Sequence, residues 1–320
     1  MRALPLLAVF GGWLVQSAHA AEAQDWLQRL ASAEQQQSFQ GTFIYERNGS
    51  FSTHQIWHRV ESSGEVRERL LQADGSYQEA IRVAGQLRCV SGDSAVIAGA
   101  IEQTQTKNAS FKSLGNWYDV QVTGASRIAN RDTVVLALTP RDPYRYAAEF
   151  QIDSQTGLPL KSILLNDKGQ MLERLQFVQV DIGDVVPSML QPSAACKPVS
   201  VAATPPSKDV TQAWHSDWLP PGFTLKSTSQ SPSSVTQDLV DRLTYDDGLS
   251  GFSVFFEPLH GAQVETSHSQ LGPTVAVSKR IPTDEGGVMA TVVGEIPLGT
   301  AERIALSMRA GPGDKRQATP

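Results

Sequence analysis

Only two cysteines, Cys89 and Cys196, occur in 320 residues, and no CxxC pair is present. That absence removes thioredoxin-like redox chemistry and cysteine-rich zinc modules from consideration. Basic runs are missing too. Lys and Arg number 16 against 20 Asp and Glu over residues 21–196, and 8 against 12 over 213–320, within a formal net charge of −6. Nucleic-acid binding needs a positive footprint, so that class is excluded. After residue 15 no apolar run approaches the roughly 20 residues of a spanning helix. Catalytic signatures are equally scarce: there is no GxSxG, no HExxH, no P-loop and no GxGxxG opening a helix.

The remaining polar residues offer no metal or catalytic constellation. His54 and His58 stand four apart, but on a strand that spacing is about 13 Å, too far to share an ion. His260 and His268 lie in the stretch Leu259–Leu271 near Glu257 and Glu265, while Asp246, Asp247, Asp284 and Glu285 sit in turn sequences. No Ser, His and Asp take triad roles by spacing. These features point to a binding protein rather than an enzyme, with no cofactor and no metal.

What is present begins with an export signal. Met1 and Arg2 supply a positive start, Ala3 to Val15 is apolar, and Ala18-His19-Ala20 is an A-x-A cleavage site. Residues 1–20 therefore read as a cleaved signal peptide, and a bacterial chain so marked is expected in the periplasm. An oxidising compartment favours a Cys89–Cys196 disulfide; the alternative is two buried, unpaired thiols.

The centre of the chain is a run of strand-like segments. TVVLALTP, YRYAAEFQID, PLKSILLND and MLERLQFVQVDI follow one another through Arg-Asp-Pro, Ser-Gln-Thr-Gly and Lys-Gly-Gln breaks between Thr133 and Ile182. Connections that short require antiparallel neighbours. Upstream, Asp25 to Phe39 reads as a helix with Trp26, Leu27, Leu30, Ala31 and Ala33 near one face. Asn48-Gly49 then marks a hairpin whose two-residue turn pairs Tyr45 with Ser52, Phe43 with His54 and Gly41 with Ile56. Further hairpins bring the total to ten or eleven strands, enough for the sheet to curl toward a barrel. Residues 91–115 break the pattern, with Ala95 to Ala98 their only apolar cluster and an Asn108-Ala109-Ser110 acceptor motif of little meaning in a bacterial chain.

This gives a mainly antiparallel α+β protein: a large β domain over 21–196, a Pro- and Ala-rich linker over 197–212, a smaller α+β domain over 213–310 and a disordered tail over 311–320. The small domain is expected to hold four to five strands, a hairpin about Asp247-Gly248 and a helix over Thr300–Met308 capped by Thr300. Both faces of the first hairpin are partly apolar, so each needs a cover. Phe43, Tyr45, Ile56 and Trp57 are candidates to line an apolar face that takes a second layer or a ligand, although Trp57 points opposite the other three and ordinary core packing competes with that role. Arg141, Tyr144, Arg145 and Tyr146 mark a strand-entry corner, a candidate domain contact or a structural turn. Lys279 and Arg280, adjacent basic residues of the second domain, are candidates to meet an acidic partner.

The pattern of short motifs resembles the MucB/RseB family. The matching residues are Phe39-Gln40-Gly41-Thr42, Thr139-Pro140-Arg141-Asp142, Tyr144-Arg145-Tyr146, Asp153 with Thr156-Gly157-Leu158-Pro159-Leu160-Lys161, and Glu173-Arg174 with Phe177. In the second domain they are Trp218 to Phe223, Phe252 to Phe255, Leu271-Gly272-Pro273, and Val292 with Gly294-Glu295. The resemblance implies a half-open barrel of the LolA/LolB type with a helix packed on it, and a small domain that supplies much of the partner contact. It implies a periplasmic negative regulator that binds the periplasmic domain of a membrane anti-sigma factor of the MucA or RseA type. Binding would shield that partner from site-1 proteolysis and keep an envelope-stress, alginate-linked sigma factor inactive. Lipid, lipopolysaccharide or lipoprotein acyl chains would be the releasing effector, which makes Phe43, Tyr45, Ile56 and Trp57 the lipid-face candidates. A periplasmic lipid or lipoprotein carrier is the alternative, and a homo-oligomer is compatible with the sequence.

Overall fold

The computed structural model describes residues 14–92, 111–199, 210, 213–233, 236–283 and 286–311. The Ala95–Ala98 cluster, the Asn108 motif, Asp284 and Glu285, most of the linker, the start of the signal segment and the tail from 312 lie outside these residues. Two antiparallel sheets carry the fold, and a short ladder accompanies the second.

The first sheet has eleven strands: β1 (Phe39–Arg47), β2 (Ser50–Val60), β3 (Val66–Gln72), β4 (Glu79–Val83), β5 (Gln86–Ser91), β6 (Tyr118–Ile128), β7 (Arg131–Pro140), β8 (Ala147–Asp153), β9 (Pro159–Leu165), β10 (Met171–Ile182) and the two-residue β11 (Lys197–Pro198). Their spatial order is β11-β5-β4-β3-β2-β1-β10-β9-β8-β7-β6, so the sheet is half-open, with β11 and β6 as its edges. Both halves are meanders, and β1 zips against β10 to join them. The turn chemistry sets the register of the first hairpin as the sequence suggests: Tyr45 opposes Ser52, Phe43 opposes His54 and Gly41 opposes Ile56. Asn48 and Gly49 both adopt positive φ there, as a two-residue turn of this type requires.

Helix α1 (Leu14–Gln36) packs on one face of this sheet. Ala23, Leu27, Leu30 and Ala33, spaced by four, three and three residues, are all buried and form its apolar stripe. Two clusters meet under it. Ala33 joins Phe43, Ile56, Leu160 and Phe177 at one end of the trough. Ala23, Leu27 and Leu30 join Tyr118, Leu136, Leu138 and Ile152 at the other. The helix ends three residues earlier than expected, because Phe39 is already paired with His58 and Ile182 in the sheet. A second helix, α2 (Phe111–Trp117), precedes β6 where the sequence carries no clear helical period.

The second sheet has six strands: β13 (Thr224–Pro232), β14 (Leu239–Asp246), β15 (Gly251–Pro258), β16 (Ser267–Leu271), β17 (Thr274–Ile281) and β18 (Val288–Gly294), ordered β13-β14-β15-β18-β17-β16. Strand β12 (Trp214–Ser216) pairs separately with β19 (Met308–Ala310). Helix α3 (Leu298–Ser307) covers one face, burying Ala301, Ile304 and Ala305. Thr300 is buried inside that helix rather than capping it, because Pro297 already fixes the turn into Leu298. Trp214 anchors the domain, its ring stacked on Phe256 at 4.3 Å and its indole N–H donated to Asp241 at 2.8 Å.

Among the described residues no helix is long and apolar enough to cross a membrane.

Candidate functional site

The lipid-face candidates divide across the sheet. Phe43, Tyr45 and Ile56 point into the trough, where they are 0%, 5% and 2% exposed. Phe43 stacks on His54 at 5.2 Å and lies 5.6 Å from Phe177. Trp57, one residue on from Ile56, points to the opposite face and is half-buried with the Arg69 guanidinium 5.2 Å from its ring. The four residues do not form one surface, because successive strand residues face opposite ways. The three inward ones are already filled against by α1 and their neighbours. Any acyl chain that reaches them has to displace packing atoms.

Polar groups are built into this trough. Tyr45 donates its hydroxyl to Glu173 Oε2 at 2.6 Å, and burial beside that carboxylate pushes the phenol well above its ordinary range. His54 touches Ser52 Oγ at 2.8 Å, and burial lowers its pKa to about 4, so the ring is neutral at neutral pH. His58 Nδ1 lies 2.9 Å from Glu68 Oε1, and Glu68 Oε2 lies 3.3 Å from Arg82 Nη1.

The strand-entry corner forms part of a junction between the sheets. Arg145 is fully buried in its side chain and donates Nη1 to Asp247 Oδ2 at 2.7 Å, across 102 residues. A second donation goes to the Pro221 carbonyl, and a third to Asp142 Oδ1 at 3.1 Å. Trp117, Tyr118 and Phe223 surround its guanidinium at 5.1 to 5.6 Å. Asp247 also accepts the amides of Leu249 and Ser250 at 2.8 and 2.7 Å, which fixes the β14–β15 turn. Leu249 at the tip of that turn packs into the cluster under α1. A turn of the second domain thus reaches the apolar core of the first.

The neighbouring corner residues contribute unequally. Tyr144 meets the edge of Trp218 at 5.1 Å and accepts a hydrogen bond from Arg303 Nη1 at 2.9 Å. The Arg303 guanidinium lies 3.8 Å over the Trp218 ring. Tyr146 is buried, and burial followed by the charge of Glu295 pushes its pKa up to about 12. Arg141 is exposed, and its backbone amide donates to the Trp117 carbonyl. The corner starts β8 three residues later than the sequence suggests, since Asp142 Oδ1 captures the Tyr144 amide at 3.0 Å.

A second junction lies some way along the sheets. Arg47 at the end of β1 donates to the Thr274 hydroxyl and lies 4.0 Å from Glu295 and 3.5 Å from Glu173. Close approach there depends on glycine. A Cβ on Gly272, at φ +58°, would stand 2.8 Å from Arg47 Cγ. At the first junction, a Cβ on Gly222, at φ +89°, would stand 2.3 Å from the Trp117 ring. The sequence singles out Leu271-Gly272-Pro273 and Trp218 to Phe223 as motifs without indicating that they meet the first domain. Asp247, Leu249, Trp218, Arg303, Arg47 and Glu295 carry no local signal of that role.

The remaining candidates fall elsewhere. Lys279 and Arg280 are consecutive on β17, so their side chains leave opposite faces of the sheet. Arg280 donates to Gln263 Oε1 at 2.9 Å and to the Gly286 carbonyl at 3.3 Å, which ties it to loops of its own domain. The pair does not form a joint basic patch. Cys89 and Cys196 are bonded, closing a separation of 107 residues and holding β11 on β5. The segment before Cys196 lies over the face that carries Trp57 and Arg69: Ser193 bonds the buried Glu79, and Arg69 donates to the Met189 carbonyl at 3.1 Å. No group of three or more metal-ligating side chains occurs among the described residues.

Two antiparallel sheets, one half-open over an apolar cluster and one that reaches that cluster through the tip of its β14–β15 turn, define a binding protein built from two domains. The MucB/RseB N-terminal domain family matches residues 22–200, and the MucB/RseB C-terminal domain family matches residues 208–309. The chain belongs to the MucB/RseB family. It is 56% identical to the sigma factor AlgU regulatory protein MucB of Pseudomonas aeruginosa over 311 residues, which is 97% of this chain and 98% of that one. Among solved structures, the P. aeruginosa MucA/MucB complex contains a chain 56% identical with a TM-score of 0.79, covering 91% of this chain and 99% of that chain. A crystal structure of MucB in complex with MucA(peri) gives 57% identity and a TM-score of 0.77, covering 90% and 99%.

Proposed function

We propose that this protein is a periplasmic regulator that binds the periplasmic domain of a MucA-type anti-sigma factor. Binding protects that domain from site-1 proteolysis and so keeps an AlgU-type envelope-stress sigma factor inactive. The observation that carries this reading is 56% identity to MucB over 311 residues, a span that includes both domains. Two solved relatives that match about nine tenths of this chain are MucB molecules in complex with MucA. The protein acts by binding and not by catalysis.

The two-point junction supports a preorganised partner surface. With Arg145 and Arg47 anchoring both ends, the partner meets domains whose relative orientation is already set, which reduces the ordering cost of binding. Release is driven by acyl chains of lipid, lipopolysaccharide or lipoprotein entering the trough. Leu249 shares the cluster under α1 with the residues such a chain has to displace, so entry there bears directly on the second domain. Ligand and partner then favour different domain arrangements, and their coupling is reciprocal. Capture of the purified anti-sigma periplasmic segment by the immobilised full chain tests the reading. Specific, stoichiometric retention supports it, and passage of the segment without retention rejects it.

A further inference from the structure

His58 occupies an unusual position in the trough. It is 2% exposed, and both of its ring nitrogens face acceptors. Nδ1 lies 2.9 Å from the Glu68 carboxylate, and Nε2 lies 2.6 Å from the backbone carbonyl of Glu34. A neutral imidazole carries one N–H and one lone pair, so it satisfies only one of these contacts. Two acceptors at hydrogen-bond distance call for the imidazolium, which donates to both. The Phe39 ring stacks on the imidazole at 4.7 Å and closes its other side.

The Glu34 carbonyl belongs to the last turn of α1, which ends at Gln36. Carbonyls of that turn lack partners inside the helix and carry the negative end of its dipole. A cation placed there stabilises the end of the helix through both effects. The groups facing His58 fit this role. Glu68 comes from β3, the Glu34 side chain adds negative charge from α1, β1 presents only Phe39, and Arg82 of β4 stands behind Glu68. Burial alone would lower the His58 pKa, yet the Glu68 carboxylate and Glu34 outweigh it and raise the value.

We propose that His58 is a pH-dependent clamp that holds the C-terminal turn of α1 over the apolar trough in its protonated form and loosens it when deprotonated. The imidazolium bridges sheet and helix. After loss of a proton, one of the two donations disappears, and a lone pair faces either a carbonyl or a carboxylate. The sign follows from linkage. A histidine whose folded pKa is raised stabilises the closed form fully below its free value of about 6.5, and this contribution is lost as pH rises through the folded value. Alkaline conditions therefore favour exposure of the trough around Phe43, Ile56 and Phe177. The clamp stands without the regulatory reading; only its role in admitting an acyl effector rests on it.

Hydrogen exchange of the full chain tests this directly, with rates for residues 30–37 corrected for intrinsic pH dependence. Opening of the α1 end should become about tenfold easier per pH unit between the free and folded His58 values, then level off. Glu68→Gln keeps the shape but removes the charge, so it should shorten that interval. His54→Gln should leave the profile unchanged, because His54 is already neutral there. His58→Gln should abolish the pH dependence. If that variant does not fold, nitrogen NMR of wild-type His58 at pH 6.5, the free value, decides, with the doubly protonated ring in the majority as the expected result. A pH-independent wild-type profile, an unaltered interval in Glu68→Gln, or a His58 that is mostly neutral at pH 6.5 overturns the proposal.

Discussion

Replacing Arg145 with alanine removes the cation from a pair in which both side chains are fully buried. Asp247 keeps its bonds from the Leu249 and Ser250 amides, but loses the only one from a charged donor among the described residues. Breaking a buried pair by deleting one partner costs about 3–5 kcal/mol, because the remaining charge is stranded. With an m-value of about 2–3 kcal/mol/M, the urea midpoint should fall by about 1–2 M in the transition reported by Trp117 and Trp218. The loss also depends on pH. Burial already pushes the Asp247 carboxyl up against the pull of those amides and of Arg145. Without Arg145 it rises further, so the folded state binds a proton more readily than the unfolded one. Stability of the variant then falls as pH rises, and the deficit relative to wild type is smaller near pH 5 than at pH 8. Equilibrium unfolding by tryptophan emission at both pH values, paired with solution scattering, measures this. A variant with wild-type midpoint and scattering profile would refute the assignment of Arg145 as the principal anchor.

Other perturbations separate the remaining contacts. Gly222→Ala forces a side chain toward the Trp117 ring at positive φ and should cost about 1–3 kcal/mol in thermal or urea unfolding. Arg303→Ala removes an exposed cation–π contact and should cost no more than about 1 kcal/mol by the same assay. Paired Cys89→Ser and Cys196→Ser exchange, or reduction, should lower stability by about 4–5 kcal/mol in the chain-entropy limit for a 107-residue separation. Lys279→Glu and Arg280→Glu, measured singly by calorimetric titration with the anti-sigma segment, should have unequal effects because the two side chains leave opposite faces.

The large sheet is legible in the sequence because its information is local. The turns between Thr133 and Ile182 specify antiparallel neighbours, and Asn48-Gly49 specifies a register that places Phe43 and Ile56 on one face. Strand β16 escapes that reading, since Ser267 to Leu271 lacks apolar alternation and is exposed on both faces at a sheet edge. The end of α1 and the start of α3 are displaced by tertiary partners: Phe39 by its pairing in the sheet, and Thr300 by the proline three residues before it. The junction is the least legible part. Arg145 and Asp247 find each other across 102 residues, and the Asp247-Gly248 pattern signals a turn whether or not its tip enters another domain. Adjacency of Lys279 and Arg280 is misleading for the opposite reason, because neighbours on a strand point apart.

Titrating a triacylated peptide or lipid A against the preformed complex should weaken anti-sigma binding if the trough and the second domain are coupled through Leu249. The more basic question is whether the chain shields a partner at all. The rate of site-1 cleavage of the anti-sigma periplasmic domain, measured with and without a stoichiometric amount of the full chain, tests that most directly. The proposed regulator slows cleavage strongly, while cleavage at the same rate in both reactions contradicts it.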